Sequence, residues 1–355
     1  AQRIVPLKPV SGESNKSLLA LRLLLGLDDS LATLWPSQAE VADRAGYSPG
    51  SIGQIVGKLQ ERGERLPAVT SLRNDLAEIL DSLSGAASVS ELVEAVITAR
   101  GCVAEEPLRT RLATAVVRAA VEVERSRDQP RFLVRRDGSR ILIAVASEVA
   151  QYAFRLGDRA DRIADEDPLA TPQRALQRLR ELEPPSGLVP LPDARLLRLA
   201  AGASCHAALS SRQELYPRGM EAGRALKLSQ GALYGVKELT AQEIRDRVRS
   251  RYPEAAPLPD HPELDRLLRE AGFELQWNPI LRGGGGYSSI SRGPSWLSSE
   301  SRSSGRTTSF SPMSAQAEPI SFNPEQTEAR RFEDRLRHDL SQGSFLILPA
   351  TPRVY

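Results

Sequence analysis

Along residues 35–63, WPSQAEVADRAGYSPGSIGQIVGKLQERG, apolar side chains fall at Val41, Ala45, Tyr47, Ile52 and Ile55 with polar residues between them. This spacing predicts two short helices joined by a tight turn, a helix-turn-helix. Ala42 is small where the second helix must cross close over the first. Gly46, four residues on, stands where the chain leaves the first helix, a position that favours a left-handed backbone. Ser48 is placed to cap the second helix, with Pro49 in its first turn. Ahead of this unit the run LLALRLLLGL, within 17–27, predicts a short apolar helix ending near Gly26. It is too short to cross a membrane and suits packing against the unit that follows.

The pattern then changes twice. Leu72, Leu76, Ile79, Leu80 and Leu83 recur at helical spacing, Ser90 is placed to cap ELVEAVITAR, and a third helix is expected from Pro107 to about Arg125. Two apolar runs, Arg131–Arg136 and Ser139–Ala144, flank Asp137-Gly138. That is a hairpin signal in which both central turn residues would take positive φ. Helices followed by a hairpin is the order of a winged helix. The wing would carry Arg131, Arg135, Arg136 and Arg140 against Asp137. Residues 147–183 alternate acid and base and read as a solvated helical connector, and Glu183–Pro192 is a Pro-rich junction.

From residue 193 the plan repeats. Helices are expected near 193–208 and 218–235, Thr240 caps AQEIRDRVRSRY, and ELDRLLREAG leads to the strand Phe273–Trp277. SVSELVEAVITARG pairs in order with ELTAQEIRDRVRSRY, and LRTRLATAVVRAA with HPELDRLLREAG. The second wing would be Arg282–Tyr287. Residues 288–320 are rich in Ser, Gly and Arg and read as disordered. A helix over Pro324–Gln342 and the strand FLILP then suggest the start of an α/β domain. The expected fold is therefore mainly α: a helix-turn-helix (17–66), a winged helix (67–146), a connector (147–192), a second winged-helix-like unit (193–287), a linker (288–323) and a truncated α/β start (324–355). The first residue is not Met and FLILPATPRVY ends like an interrupted strand, so a piece of a longer protein is expected.

The 355 residues are 41% hydrophobic and 5% aromatic, which suits small Leu- and Ala-rich helical cores. A net charge of +2 means that any affinity for nucleic acid must come from local patches. Cys102 and Cys205 lie far apart, and with His206, His261 and His338 they form no metal spacing. A reducing cytoplasm is the simplest compartment for such a chain. The Gly-rich segment 282–287 lacks the Gly-Lys-Ser/Thr of a phosphate loop. Cys205 and His206 are adjacent and, on a helix, point about 100° apart. Asp165, Glu166 and Asp167 read as an exposed acidic turn. No Val-Ala-x-Lys, His-Arg-Asp or Asp-Phe-Gly occurs, so no catalytic residue is assigned.

The nucleic-acid reading rests on two sets of residues. The second helix of the helix-turn-helix would present Ser48, Ser51, Gln54 and Lys58, with Gln54 suited to adenine. Gly50, Gly53 and Gly57 dilute that helix at about 0.5–1 kcal/mol each relative to Ala. From Leu34 to Leu66 the basic residues Arg44, Lys58, Arg62 and Arg65 are balanced by Glu40, Asp43, Glu61 and Glu64, so the wing arginines are the better phosphate grip.

The helix-turn-helix WPSQAEVADRAGYSPGSIGQIVGKLQERG resembles the DNA-binding region of bacterial sigma factors. A larger resemblance runs through SELVEAVITARG, FLVRRDGSRILIA, LPDARLLRLAAGAS, the long segment LSSRQELYPRGMEAGRALKLSQGALYGVKELTAQEIRDRVRSRYPEAAPLPDHPELDRLLREAGFEL, and RRFEDRLRHDLSQGSFLIL. Together these are similar to the C-terminal region of the PglW-type serine/threonine kinases of phage growth limitation, or BREX, anti-phage systems. The resemblance implies a regulatory region that docks a defence kinase on DNA or on other proteins of the system. It implies ATP and Mg only for a kinase domain upstream, with no cofactor, no metal and no membrane for this region. Two other readings stand beside it: a protein-interaction module with inherited helix-turn-helix folds, and a sigma-like transcription regulator that would bind RNA polymerase.

Overall fold

The computed structural model describes residues 15–289, apart from 29, 32, 235, 237 and 282–284. The linker and C-terminal expectations over 290–355 lie outside the described residues, as do residues 282–284 of the expected second wing. The described chain is mainly helical with small antiparallel sheets. In order it runs α1 (Asn15–Leu24), α2 (Gln38–Ala45), α3 (Pro49–Glu64), α4 (Pro67–Ser82), β1 (Ala86–Ser88), α5 (Val89–Arg100), α6 (Leu108–Arg125), β2 (Leu133–Asp137) and β3 (Arg140–Ala144). It continues with α7 (Ser147–Ala164), α8 (Pro172–Arg180), α9 (Asp193–Ala203), β4 (Ala207–Leu209), β5 (Leu215–Pro217), α10 (Ala222–Leu228), α11 (Gln230–Leu233), β6 (Glu238–Thr240), α12 (Ala241–Arg251), α13 (Glu263–Glu270), β7 (Leu275–Asn278) and β8 (Gly286–Ser289).

The repeat expected from sequence is present in the topology. In the first copy β1 is followed by two helices and the β2–β3 hairpin, with strand order β1-β3-β2. In the second, β6 is followed by two helices and β7–β8, with order β6-β8-β7. Each first strand ends on the N-cap of the next helix. Ser88 Oγ accepts from the Glu91 N–H at 3.3 Å, and Thr240 Oγ1 accepts from the Glu243 N–H at 3.1 Å. In both copies the cap satisfies an N–H that the helix itself cannot. Ser90 is thus not the cap of α5. The Ser-x-x-Glu spacing that marks a cap begins at Ser88, and Ser90 Oγ shares a hydrogen bond with Ser88 Oγ.

Two thin sheets separate three apolar cores. Ala87 and Ile143, paired across β1 and β3, join the core formed by α1–α6. Ala86, Leu142 and Ala144 point the other way, into a second core formed with α7, α8 and α9. The β4–β5 hairpin repeats this division. Ala207 and Leu215 belong to the second core, and Ala208 and Tyr216 to a third core around α10–α13. Period-two alternation thus places apolar side chains on both faces of each sheet.

Two local findings differ from the sequence reading. Helix α7 is no solvated connector: Val149, Ala150, Tyr152, Ala153, Leu156, Gly157, Ala160 and Ile163 are buried along one face. A Cβ at Gly157 would lie 2.2 Å from the Ala203 carbonyl oxygen, so the α7 and α9 backbones all but touch. The hairpin turn also differs. Asp137 pairs with Arg140, leaving Gly138-Ser139 as the loop, and of these only Gly138 takes positive φ, at 56°. Gly at the first central position is the arrangement of a II′ hairpin.

Candidate nucleic-acid interface

The α2–α3 pair is built by its caps. Ser37 Oγ accepts from the Glu40 N–H at 3.2 Å, and Glu40 Oε2 accepts from the Ser37 N–H at 2.5 Å, closing a capping box at the start of α2. Gly46 ends α2 at φ 64°, and Lys16 Nζ donates to its carbonyl at 2.7 Å. Ser48 Oγ then accepts from the Ser51 N–H at 3.3 Å to open α3. Inward, α3 buries Ile52, Val56 and Leu59. At its far end it closes on α6, where a Cβ at Gly63 would lie 2.3 Å from Val123 Cγ2.

The outer surface of α3 carries the predicted contact residues. Gln54 and Lys58 are exposed one turn apart, and Ser48 is exposed at the helix start. Ser51 is half-buried, and its hydroxyl is shared with Ser48 at 2.9 Å. Gly50 and Gly53, also exposed, and the half-buried Gly57 have open space where a Cβ would stand. Packing within the described residues therefore does not require them to be glycine.

The four arginines of the β2–β3 hairpin and its approach do not form one grip. Arg131 turns back on the buried Glu124, donating from its backbone N–H at 2.9 Å, from Nε at 3.0 Å and from Nη2 at 3.1 Å. Arg73 Nε meets the same carboxylate at 2.7 Å. Burial alone would raise the Glu124 pKa, but the Arg131 and Arg73 hydrogen bonds overrule it and hold it at about 2. Arg140 is 9% exposed, ion-paired to Asp137 and Asp158 and stacked over Phe154 at 5.0 Å. Arg135 donates to Ser147 Oγ at 3.2 Å. Arg136 reaches Trp35 O at 2.7 Å, tying the hairpin to the segment that leads into α2. Among the described residues no hydrogen bond joins the α3 set to the arginine set.

Three further basic and aromatic residues gather where Arg136 lands. Arg118 and Arg125 come from α6, and Trp35 from the lead into α2. Arg118 sits on the apolar stripe of α6 beside buried Val117 and Val121. A charged residue at that register was the available sequence signal. Elsewhere, Cys205 and His206 follow the end of α9 instead of lying within it. The Asp161 carboxylate accepts the backbone N–H groups of Cys205, His206 and Ala207 at 2.9, 3.0 and 2.9 Å. Among the described residues no group of His, Cys, Asp and Glu is arranged to hold a metal ion, and no helix is long and apolar enough to cross a membrane.

No family model matches this chain, and no solved structure matches it. A curated protein does. Over 317 residues, 77% of this chain, it is 35% identical to the probable kinase PglW of Streptomyces coelicolor, of which it covers 20%. The chain is similar to PglW over most of its own length and spans about a fifth of that protein's length.

Proposed function

We propose that this chain is a non-catalytic accessory region of a phage-defence serine/threonine kinase that docks the kinase on DNA. In this reading the fold is a helix-turn-helix followed by two winged-helix units. The supporting observation is the twice-repeated order of strand, two helices and hairpin, with the first strand paired to the last in each copy. Helix α3 is the recognition helix. Gln54 and Lys58 face the duplex, Ser48 and Ser51 position the helix start, and Gly50, Gly53 and Gly57 allow a close backbone approach. Of the wing arginines, Arg135 and Arg136 are left to meet phosphate, because Arg131 and Arg140 are engaged by internal carboxylates. ATP and magnesium serve a kinase domain elsewhere in the whole protein.

A mobility-shift titration tests this at about 50 mM salt, where phosphate contacts are strongest. Lys58→Ala is expected to weaken binding and to reduce the slope of log affinity against log salt by about 1. Absence of any shift at micromolar protein overturns the proposal.

The inward arginines also favour a second reading, in which the same folds bind another protein of the defence system. A partner captured equally by the wild type and by Lys58→Ala, from a chain that does not shift DNA, would support that reading.

A further inference from the structure

Between the start of α2, helix α6 and strand β2 lies a cleft of about 380 Å³, walled by Trp35, Ser37, Arg118, Glu122, Arg125 and Arg136 among others. Arg118 is 2% exposed. Its Nη2 donates to the Pro36 carbonyl at 2.6 Å, and its guanidinium lies 5.2 Å from the Trp35 ring centre. Its Nε and Nη1 are buried with no hydrogen-bond partner among the described residues. The Glu122 carboxylate stands 4.0 Å from Nε, beyond hydrogen-bond reach. A guanidinium offers five donors in a rigid fork, and buried donors left unserved are costly. Burial draws the pKa of Arg118 down to about 10, with Glu122 opposing and Arg136 adding to the fall.

The surroundings are those of an anion site. Arg136 enters from β2 and Arg125 stands at the rim, 3.8 Å from Glu122. Ser37 and Gln38, at the start of α2, line the same space, and a helix N-terminus favours an anion. Two carboxylates oppose them: Glu122, and Glu40 in the capping box on Ser37. Four arginines line the cleft, Arg118, Arg125, Arg135 and Arg136, and with a helix N-terminus they outweigh those two carboxylates.

We propose that this cleft is an oxyanion site that takes a phosphoryl group, held between Arg118 and Arg136 at the start of α2. A planar guanidinium matches two phosphate oxygens at once, which a point charge does not. The group has two sources with one chemistry: a free phosphate or pyrophosphate, and a phosphodiester of the DNA backbone. The site does not depend on DNA binding through α3.

The test uses the full chain and three proteins: wild type, Arg136→Gln and Arg125→Gln. Both substitutions change exposed residues and retain a donor, so both variants should fold. Thermal unfolding is followed during titration with sodium pyrophosphate up to about 10 mM, a range that reaches millimolar affinities, at constant ionic strength set by chloride. A saturable rise in melting temperature that needs at least about tenfold more pyrophosphate in Arg136→Gln, a loss of about 1.4 kcal/mol, supports the site with a free anion as its source. A duplex whose affinity falls about tenfold in Arg136→Gln and Arg125→Gln, while pyrophosphate has no effect, supports the site with a diester as its source. If pyrophosphate stabilises all three proteins equally, or if neither probe responds to either variant, the proposal is overturned. Loss of DNA binding in Lys58→Ala alone would bear on α3 and not on this cleft.

Discussion

Glu124 offers the sharpest test of how the first core is held. Its side chain is fully buried, and Arg73, 5% exposed, meets it at 2.7 Å, while Arg131 grips it from the other side at 3.0 Å. Its pKa falls from an ordinary 4.5 to about 2. Because the folded value lies below the unfolded one, the unfolded chain binds more protons in that interval, and stability rises with pH through it. The contribution is fully present above about pH 4.5 and is lost as pH falls toward 2. A shift of this size corresponds to about 3 kcal/mol. Glu124→Gln keeps the shape but leaves Arg73 buried without its counter-charge, which should cost about 3–5 kcal/mol at neutral pH. Urea unfolding followed by circular dichroism at a series of pH values between about 7 and 3 measures both effects. The wild type should lose stability on acidification more steeply than the variant, and the two curves should converge toward low pH. Parallel curves across the interval would show that Glu124 is not the titrating group and would refute the reasoning.

Gly63→Ala should destabilise by about 1–3 kcal/mol through overpacking against Val123, whereas Gly53→Ala, with open space around it, should stabilise by about 0.5–1 kcal/mol. Equal effects of the two in thermal unfolding would contradict the close approach of α3 and α6. Ser88→Ala and Thr240→Ala should each cost about 1 kcal/mol as lost caps, while Ser90→Ala should change stability by a few tenths at most. If Ser90→Ala proves the more damaging by chemical denaturation, the assignment of the α5 cap fails.

Much of this architecture was readable because its signals are local. The α2–α3 turn is written in Gly46 and Ser48, and the second capped helix in Thr240. The repeat was visible through the order of these signals, although the paired residues are rarely identical. What was not readable depends on distant neighbours. Helix α7 carries charges around a buried stripe, and only the closeness of α9 at Gly157 shows that the stripe is core. Strands β1, β4 and β5 are three residues each, below the length at which alternation becomes a pattern. The wing arginines looked exposed because charged residues usually are. Their fates were decided by Glu124, Asp158 and Trp35, which lie seven to 101 residues away in the chain. The same distance hid Arg118, whose cleft is completed by residues from α2 and β2.

The two sheets with apolar side chains on both faces have a consequence for recognition. They seat the two repeated units on opposite sides of one packed middle layer. A ligand that touched both copies would therefore meet a gauge of set span. The usual loss of effective concentration through a slack linker would not apply, and a mismatch in the ligand's own spacing could not be absorbed by drift of one copy against the other. For such a ligand, the separation between its two contact points would be read against the middle layer, whatever residues make the contacts.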